Sequence, residues 1–240
     1  MRQGHVGFDE PTLENHIDAR KLEFLRGLLP PHGRAVEIGC GSARLLARVG
    51  RATSMWLVAV DRSPRALELA TLTAERANEL MKLVLADAGS LPFPDDAFDL
   101  VLSGGLLEHF EDPRPVLSEM VRVLRVGGVL YADVVPRKLS LYRIRELFRM
   151  VRTPWLLPGV FESSLGPGYY RRVLSELGCD RVQIRSAGVY PPLGPLNWAR
   201  RTSALDGTPL ATLLGWYFMI RARRAPPALD EPPAPAVTGR

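Results

Sequence analysis

Between residues 35 and 134, short apolar runs alternate with amphipathic stretches, and this rhythm restricts the fold more than any other feature. The apolar runs are 35–38, 56–60, 82–86, 100–103 and 129–134. Each has the length of a strand and is too short for an ordinary helix. Between them lie 43–49, 64–80, a short turn near 106–110, and 114–124, which read as helices. Strands separated by helices form βαβ units, because parallel neighbours need a crossover. The expected architecture is therefore α/β, built on a mostly parallel sheet.

The flanks break that rhythm. Residues 12–29 carry Leu13, Ile17, Leu22, Leu25 and Leu28 near helical spacing, and Pro30, Pro31 and Gly33 stop the helix. Residues 1–32 are thus expected to form an N-terminal cap. Residues 137–168 form a basic and aromatic insertion. A helix over 169–177 ends at Gly178, a good helix-terminating residue. Strands are expected at 181–186 and 216–222, with a helix around 197–204 between them. No full crossover joins them, so they are expected to run antiparallel. The Pro/Ala-rich stretch 225–240 reads as a disordered tail, leaving one domain over 1–224.

The 240 residues suffice for one well-filled domain. The net charge of +5 favours anions in general, but Arg is spread along the chain and marks no nucleic-acid face. Cys40 and Cys179 stand apart, without CxxC or Cys/His spacing, so neither a disulfide framework nor a metal site is expected. The first residues lack the apolar centre of a signal peptide, and the longest apolar stretch, 213–220, is too short to span a bilayer. A cytoplasmic protein is expected.

The chemistry concentrates where the first strand meets its helix: Ala35-Val36-Glu37-Ile38-Gly39-Cys40-Gly41-Ser42-Ala43-Arg44. Two glycines one residue apart allow backbone to approach a ligand closely, and the following helix start offers free N–H groups. Phosphate is the usual guest of such a turn. Glu37 would repel it and suits a cationic group such as an ammonium, either directly or through water. Arg44 stands where a dinucleotide fingerprint has a small residue. Asp61 ends the second strand, 22 residues after Gly39, and can accept hydrogen bonds from both ribose hydroxyls. It can equally support the helix opened by Ser63-Pro64. Asp87, after the third strand, can accept from an adenine amino group beside small Ala88, or can serve as a turn residue.

The segments EIGCGSAR, VAVDRSPRALELA, ADAGSLPFPDDAFDLVLSGGLLEHFEDP and LSEMVRVLRVGGVLYADV together resemble the class I S-adenosylmethionine-dependent methyltransferase family, in particular its ubiquinone/menaquinone-biosynthesis-like branch. The resemblance covers about residues 36–133. It implies a Rossmann-like three-layer sandwich with a seven-stranded, mostly parallel sheet closed by a C-terminal antiparallel hairpin. It also implies S-adenosyl-L-methionine as cofactor, with Glu37, Gly39, Cys40, Gly41, Asp61, Arg62, Asp87, Ala88, Ser103 and Gly104 around it. At Ala43 the family more often has glycine.

Methyl transfer from a sulfonium is an SN2 displacement, so alignment and exclusion of water come first, and a base is needed only for an acceptor that gives up a proton. His109 is the candidate base, because imidazole titrates near neutrality. Its other role would be to shape the loop or touch the cofactor. Tyr142, Tyr169 and Tyr170 are candidates for lining an acceptor pocket or for simply packing helices. His5, His16 and Asp133 lie in segments that can reach the same region. The insertion stands where the family commonly builds its acceptor lid. Arg143, Arg145, Arg149 and Arg152 there suit an anionic acceptor, a membrane surface, or a plain solvated helix face. The expected acceptor is a small molecule methylated on O, N or C, with no nucleic-acid partner. Two rivals share part of the pattern: an NAD(P)-dependent oxidoreductase, opposed by Arg44 and the terminal hairpin, and a non-catalytic binding module.

Overall fold

The computed structural model describes residues 8, 10–137, 161–190 and 196–227. The first half realises the alternating pattern in order: α1 (Leu13–Leu25), β1 (His32–Ile38), α2 (Arg44–Ala52), β2 (Ser54–Asp61), α3 (Pro64–Ala77), β3 (Met81–Leu85) and β4 (Phe98–Gly104). A 3-10 turn (Leu107–His109), α4 (Arg114–Val123) and β5 (Leu124–Val134) follow. The later elements are α5 (Pro167–Glu176), β6 (Cys179–Ala187), α6 (Leu196–Thr202), a 3-10 turn (Ser203–Leu205), α7 (Pro209–Leu214) and β7 (Tyr217–Arg224).

The seven strands form one sheet in the order β3-β2-β1-β4-β5-β7-β6. The first five strands pair in parallel, and β7 pairs antiparallel with both β5 and β6. Side-chain alternation separates two cores. Val36, Ile38, Val60, Val101 and Leu130 pack against Leu117 and Met120 of α4 and Tyr170 of α5. Ala35, Leu57, Leu100, Leu102 and Tyr131 pack on the other face, against Leu25 of α1 and Leu45 and Leu46 of α2. Helices on both faces of one sheet make the expected three layers.

Element ends follow local chemistry. Helix α3 opens on Ser63, whose side chain accepts from the Ala66 N–H, with Pro64 in its first turn. It stops three residues short of the expected 80, because Asn78 turns left-handed (φ 55°) and closes the helix. Helix α1 ends at Leu25 rather than at 29. Helix α7 was not expected, although Thr208-Pro209 is an N-terminal signal and the Thr208 side chain accepts from the Ala211 N–H.

Leu22, Leu25 and Leu28 of the expected helix reach the core, as their spacing suggests, but α1 also buries polar residues. Its buried residues are Asn15, Asp18, Phe24 and Leu25. Asp18 pairs with Arg44 and Arg48 of α2 at 3.2 Å each, Arg20 with Asp206 at 3.0 Å, and Lys21 with Asp133 at 2.8 Å. Charge, together with Phe24 and Leu25 in the core, holds this helix against the sheet. His16 is half-buried against α6. Most of the insertion (138–160), with Tyr142 and the four arginines, lies outside the described residues, as do His5 and 228–240 of the expected tail. Ala225 still donates to the Gly178 carbonyl at 2.9 Å.

Candidate active site

A cleft of about 710 Å³ opens at the C-terminal ends of β1, β2, β3 and β4, within the size range of small-molecule sites. Its wall contains Gly39, Cys40, Gly41, Asp61, Arg62, Asp87, Ala88, Gly104 and His109, nine of the sequence-expected residues. Val60, Ala86, Leu106, Phe110 and Phe161 supply the apolar part. In a doubly wound sheet, ligands bind where neighbouring crossovers leave in opposite directions. Here that point lies between β1 and β4.

The loop after β1 can take its shape only with small residues. Gly39 is left-handed (φ +66°), and a Cβ there would meet the Leu106 side chain at 2.7 Å. Gly41 is left-handed as well (φ +52°), with open space where a side chain would point. Ala43 is the third left-handed residue of the loop (φ 54°). This conformation is costly for any residue but glycine, which gives a physical reason for the family's preference there. Arg44 swings away from the sheet, and its guanidinium donates to Asn15 Oδ1 at 2.6 Å.

Asp61 ties the cleft together. Its Oδ2 accepts from the Gly41 N–H at 3.0 Å and its Oδ1 from the Ser63 N–H at 2.9 Å. The helix-supporting role is thus realised, and each carboxylate oxygen keeps a lone pair for a ligand hydroxyl. Asp87 is exposed, and its Oδ1 accepts from the Gly89 N–H at 2.7 Å, the expected turn. Its second oxygen is on a residue that lines the cleft.

Two of the expected residues do not stand on the cleft wall. Glu37 and Ser103 are buried, at 4% and 0% exposure, and neither lines the cleft. Both sit one layer below it, because strand alternation turns them into the protein. Glu37 Oε2 accepts from the Leu46 N–H at 3.2 Å. A Cβ on Gly104 would stand 3.2 Å from Asp133 Oδ2, 3.7 Å from Lys21 Nζ and 3.8 Å from Glu37 Oε1. A buried charge cluster therefore lies directly behind the Gly104 backbone. Tyr169 donates to Asp112, Tyr170 is fully buried, and neither lines the cleft.

Burial pushes the Glu37 carboxyl up to about 8, against the opposing pull of the Leu46 N–H and Lys21. Burial alone would lower Lys21, but Asp133, Asp18 and Glu37 outweigh it and hold the ammonium above its usual range. The raised Glu37 means that the folded protein keeps a proton that the unfolded chain releases above its ordinary value of 4.5. Its contribution to stability is present below that value and falls as pH rises towards 8. Glu37→Gln should flatten the decline of melting temperature between pH 5 and 8. A slope identical to that of the parent would mean that Glu37 is ionised throughout.

His109 is held from the far side of the insertion. Its Nδ1 is 2.9 Å from the Phe161 carbonyl oxygen. Ser163 N–H donates to the Glu108 carbonyl at 2.7 Å and Arg137 N–H to the Ser163 carbonyl at 2.8 Å. The chain thus leaves β5 and returns at the same corner of the cleft. The sequence held no signal for Phe161 at that corner, since 52 residues separate it from His109.

No helix of the described residues is long and apolar enough to cross a membrane, and these residues hold no cluster of ligands suited to a metal ion. Cys40 and Cys179 are free and buried. The family described as "Methyltransferase domain" matches residues 36–132. The chain is 33% identical over 134 residues to 27-O-demethylrifamycin SV methyltransferase of Amycolatopsis mediterranei, covering 54% of this chain and 49% of that one. It therefore spans about half the length of that relative. It is 28% identical over 193 residues to the ubiquinone biosynthesis O-methyltransferase of Cereibacter sphaeroides, covering 77% and 75%. A solved S-adenosylmethionine-dependent methyltransferase from Thermotoga maritima superposes with a TM-score of 0.59 at 20% identity, over 88% of this chain and 91% of that one, a likeness of fold. With its glycine loop and ribose-spaced acid both on the cleft wall inside the matched stretch, residues 36–132 carry a methyltransferase domain, on a fold shared with S-adenosylmethionine-dependent methyltransferases.

Proposed function

We propose that this chain methylates O, N or C of a small-molecule acceptor, and that His109 takes up the proton where the acceptor must release one. The cofactor, S-adenosyl-L-methionine, supplies a methyl group on a sulfonium that is displaced in line. Asp61 holds the ribose hydroxyls, Asp87 and Ala88 take the adenine edge, and the backbone of Gly39, Cys40, Gly41 and Gly104 takes the amino-acid end. Arg62 flanks the ribose. The cleft volume, the two left-handed glycines of the loop, and the free lone pairs of Asp61 all fit this group.

The observation that carries the reading is the His109 contact. A carbonyl oxygen can only accept, so the proton of a neutral imidazole must sit on Nδ1. Nε2 is then left with a lone pair, on a residue that lines the cleft. The acceptor enters past Phe110 and Phe161, which stand on the cleft wall beside His109. Two free buried thiols agree with the reducing environment of the cytoplasm.

The test is methyl transfer from tritiated cofactor to a panel of phenols, amines and activated carbon acids, with S-adenosylhomocysteine affinity measured alongside. For a hydroxylated acceptor, His109→Gln is expected to lower kcat by about 100-fold or more, with product affinity within about threefold of the parent. Unchanged kcat across the pH range would remove His109 from proton transfer. Binding of NADH in place of S-adenosylhomocysteine would remove the whole proposal.

A further inference from the structure

Two lips of the cleft, the glycine loop after β1 and Gly104 at the end of β4, belong to neighbouring strands, yet the sheet does not tie them together. The last ladder pair between β1 and β4 is Glu37 with Leu102. Beyond that pair each lip is bonded outward. The Cys40 N–H donates to the Val60 carbonyl of β2 at 2.9 Å, and the Gly105 N–H to the Asp133 carbonyl of β5 at 3.1 Å. Between the lips, the Leu106 side chain lies against Gly39. An apolar contact is non-directional and sets no fixed separation.

Helix α1 supplies the missing tie. Asp18 Oδ2 meets Arg44 and Arg48 of α2 at 3.2 Å each, and Asn15 Oδ1 accepts from the same two guanidiniums. Arg44 is the first residue of α2, directly after the left-handed Ala43 that closes the glycine loop. Three residues further along α1, Lys21 Nζ meets Asp133 Oδ2 at 2.8 Å. Asp133 is the register partner of Gly104, and a Cβ on Gly104 would stand 3.7 Å from Lys21 Nζ. Residues three apart share a helix face, so one face of α1 grips both lips. The gripping side chains are largely out of water: Asp18 is 11% exposed, Arg48 13% and Lys21 15%. Salt screens such pairs far less than exposed ones. No described residue of α1 itself lines the cleft.

We propose that α1 is a tie bar that sets the width of the cleft, with Asp18 and Lys21 as positioning residues for a cofactor they do not touch. Docked, the helix holds the glycine loop and Gly104 at the separation that fits the amino-acid end of S-adenosylmethionine. Released, it lets the lips part. This role rests on the cofactor reading of the cleft and adds what fixes its width. The coupling is reciprocal by linkage: if docking raises cofactor affinity, the bound cofactor holds the helix down by the same factor.

The experiment is calorimetry with S-adenosylhomocysteine on the parent, Asp18→Lys and Val173→Ala, together with amide hydrogen exchange of the parent with and without that ligand. Asp18→Lys sets a third cation against Arg44 and Arg48 and is expected to weaken binding by about tenfold or more. Val173→Ala thins the opposite core, and should lower the melting temperature with affinity within about twofold of the parent. In the parent, the ligand is expected to slow exchange in residues 13–25 by about tenfold, beyond any change in α5. Affinity of Asp18→Lys within about twofold of the parent would leave Asp18 holding the fold alone and overturn the tie bar. So would exchange in α1 that the ligand leaves unchanged, a result that does not depend on whether the variant folds. An equal loss of affinity in Val173→Ala would assign the effect to general stability and overturn it too. A parent that binds no S-adenosylhomocysteine sinks the cofactor reading and the tie bar with it, whereas a parent that binds it with α1 unaffected sinks the tie bar alone.

Discussion

Asp61→Ala is expected to weaken S-adenosylhomocysteine binding by about 100-fold or more. Each hydrogen bond from a neutral hydroxyl to a carboxylate contributes about 1.5–3 kcal/mol, and the ribose offers two. The substitution also releases the Gly41 and Ser63 N–H groups, which Asp61 now holds at 3.0 and 2.9 Å. The glycine loop and the start of α3 would both loosen, adding to the loss. Asp61→Asn keeps one oxygen and should fall between parent and alanine variant. Isothermal titration calorimetry decides the matter, and a loss below about threefold for the alanine variant would dissociate Asp61 from the ribose. The melting temperature without ligand separates the structural share, because only the loop contacts affect it.

Lys21→Met is expected to destabilise the fold by about 3–5 kcal/mol. The methionine fills nearly the same volume, so packing changes little. What it removes is the one ammonium paired with Asp133, at 2.8 Å, inside a cluster that also contains Glu37. A buried carboxylate without its partner must then either stay charged at high cost or take up a proton. Tyr131 donates to Asp133 Oδ2 at 3.2 Å and offsets only part of that cost. The double variant Lys21→Met with Asp133→Asn should recover much of the loss, since no orphan charge remains. Urea denaturation of the four proteins in the cycle measures the coupling, and a loss below about 1 kcal/mol for Lys21→Met alone would show that the pair is not desolvated.

The central sheet and the cofactor side of the cleft were legible because they rest on local signals. Apolar runs of strand length gave β1 to β5, and Gly39, Gly41 and Asp61 stand at strand tips, where sequence spacing translates directly into position. Strand alternation was the signal that places Glu37 inside the protein. It lies between Val36 and Ile38, which face the α4 side, and so must face the opposite core. The docking of α1 was illegible for a different reason. Its polar contacts are ion pairs with α2, β5 and Asp206, and no periodicity within residues 12–29 encodes a partner so distant in sequence. The same holds for Phe161, whose carbonyl reaches His109 only because the chain returns to the corner it left. Helix α7 was readable from Thr208-Pro209 but was obscured by the apolar run that continues into β7.

The sheet is not assembled in the order in which its strands are synthesised. Strand β7 lies between β5 and β6, so β6 joins the sheet only through a strand made after it. Until Tyr217–Arg224 emerges from the ribosome, the open flank of β5 carries unpaired peptide groups, and the pairing that covers them joins residues as distant as Val129 and Arg223. A nascent chain paused before that point would present an adhesive edge, which makes this sheet flank the natural place for a chaperone to act.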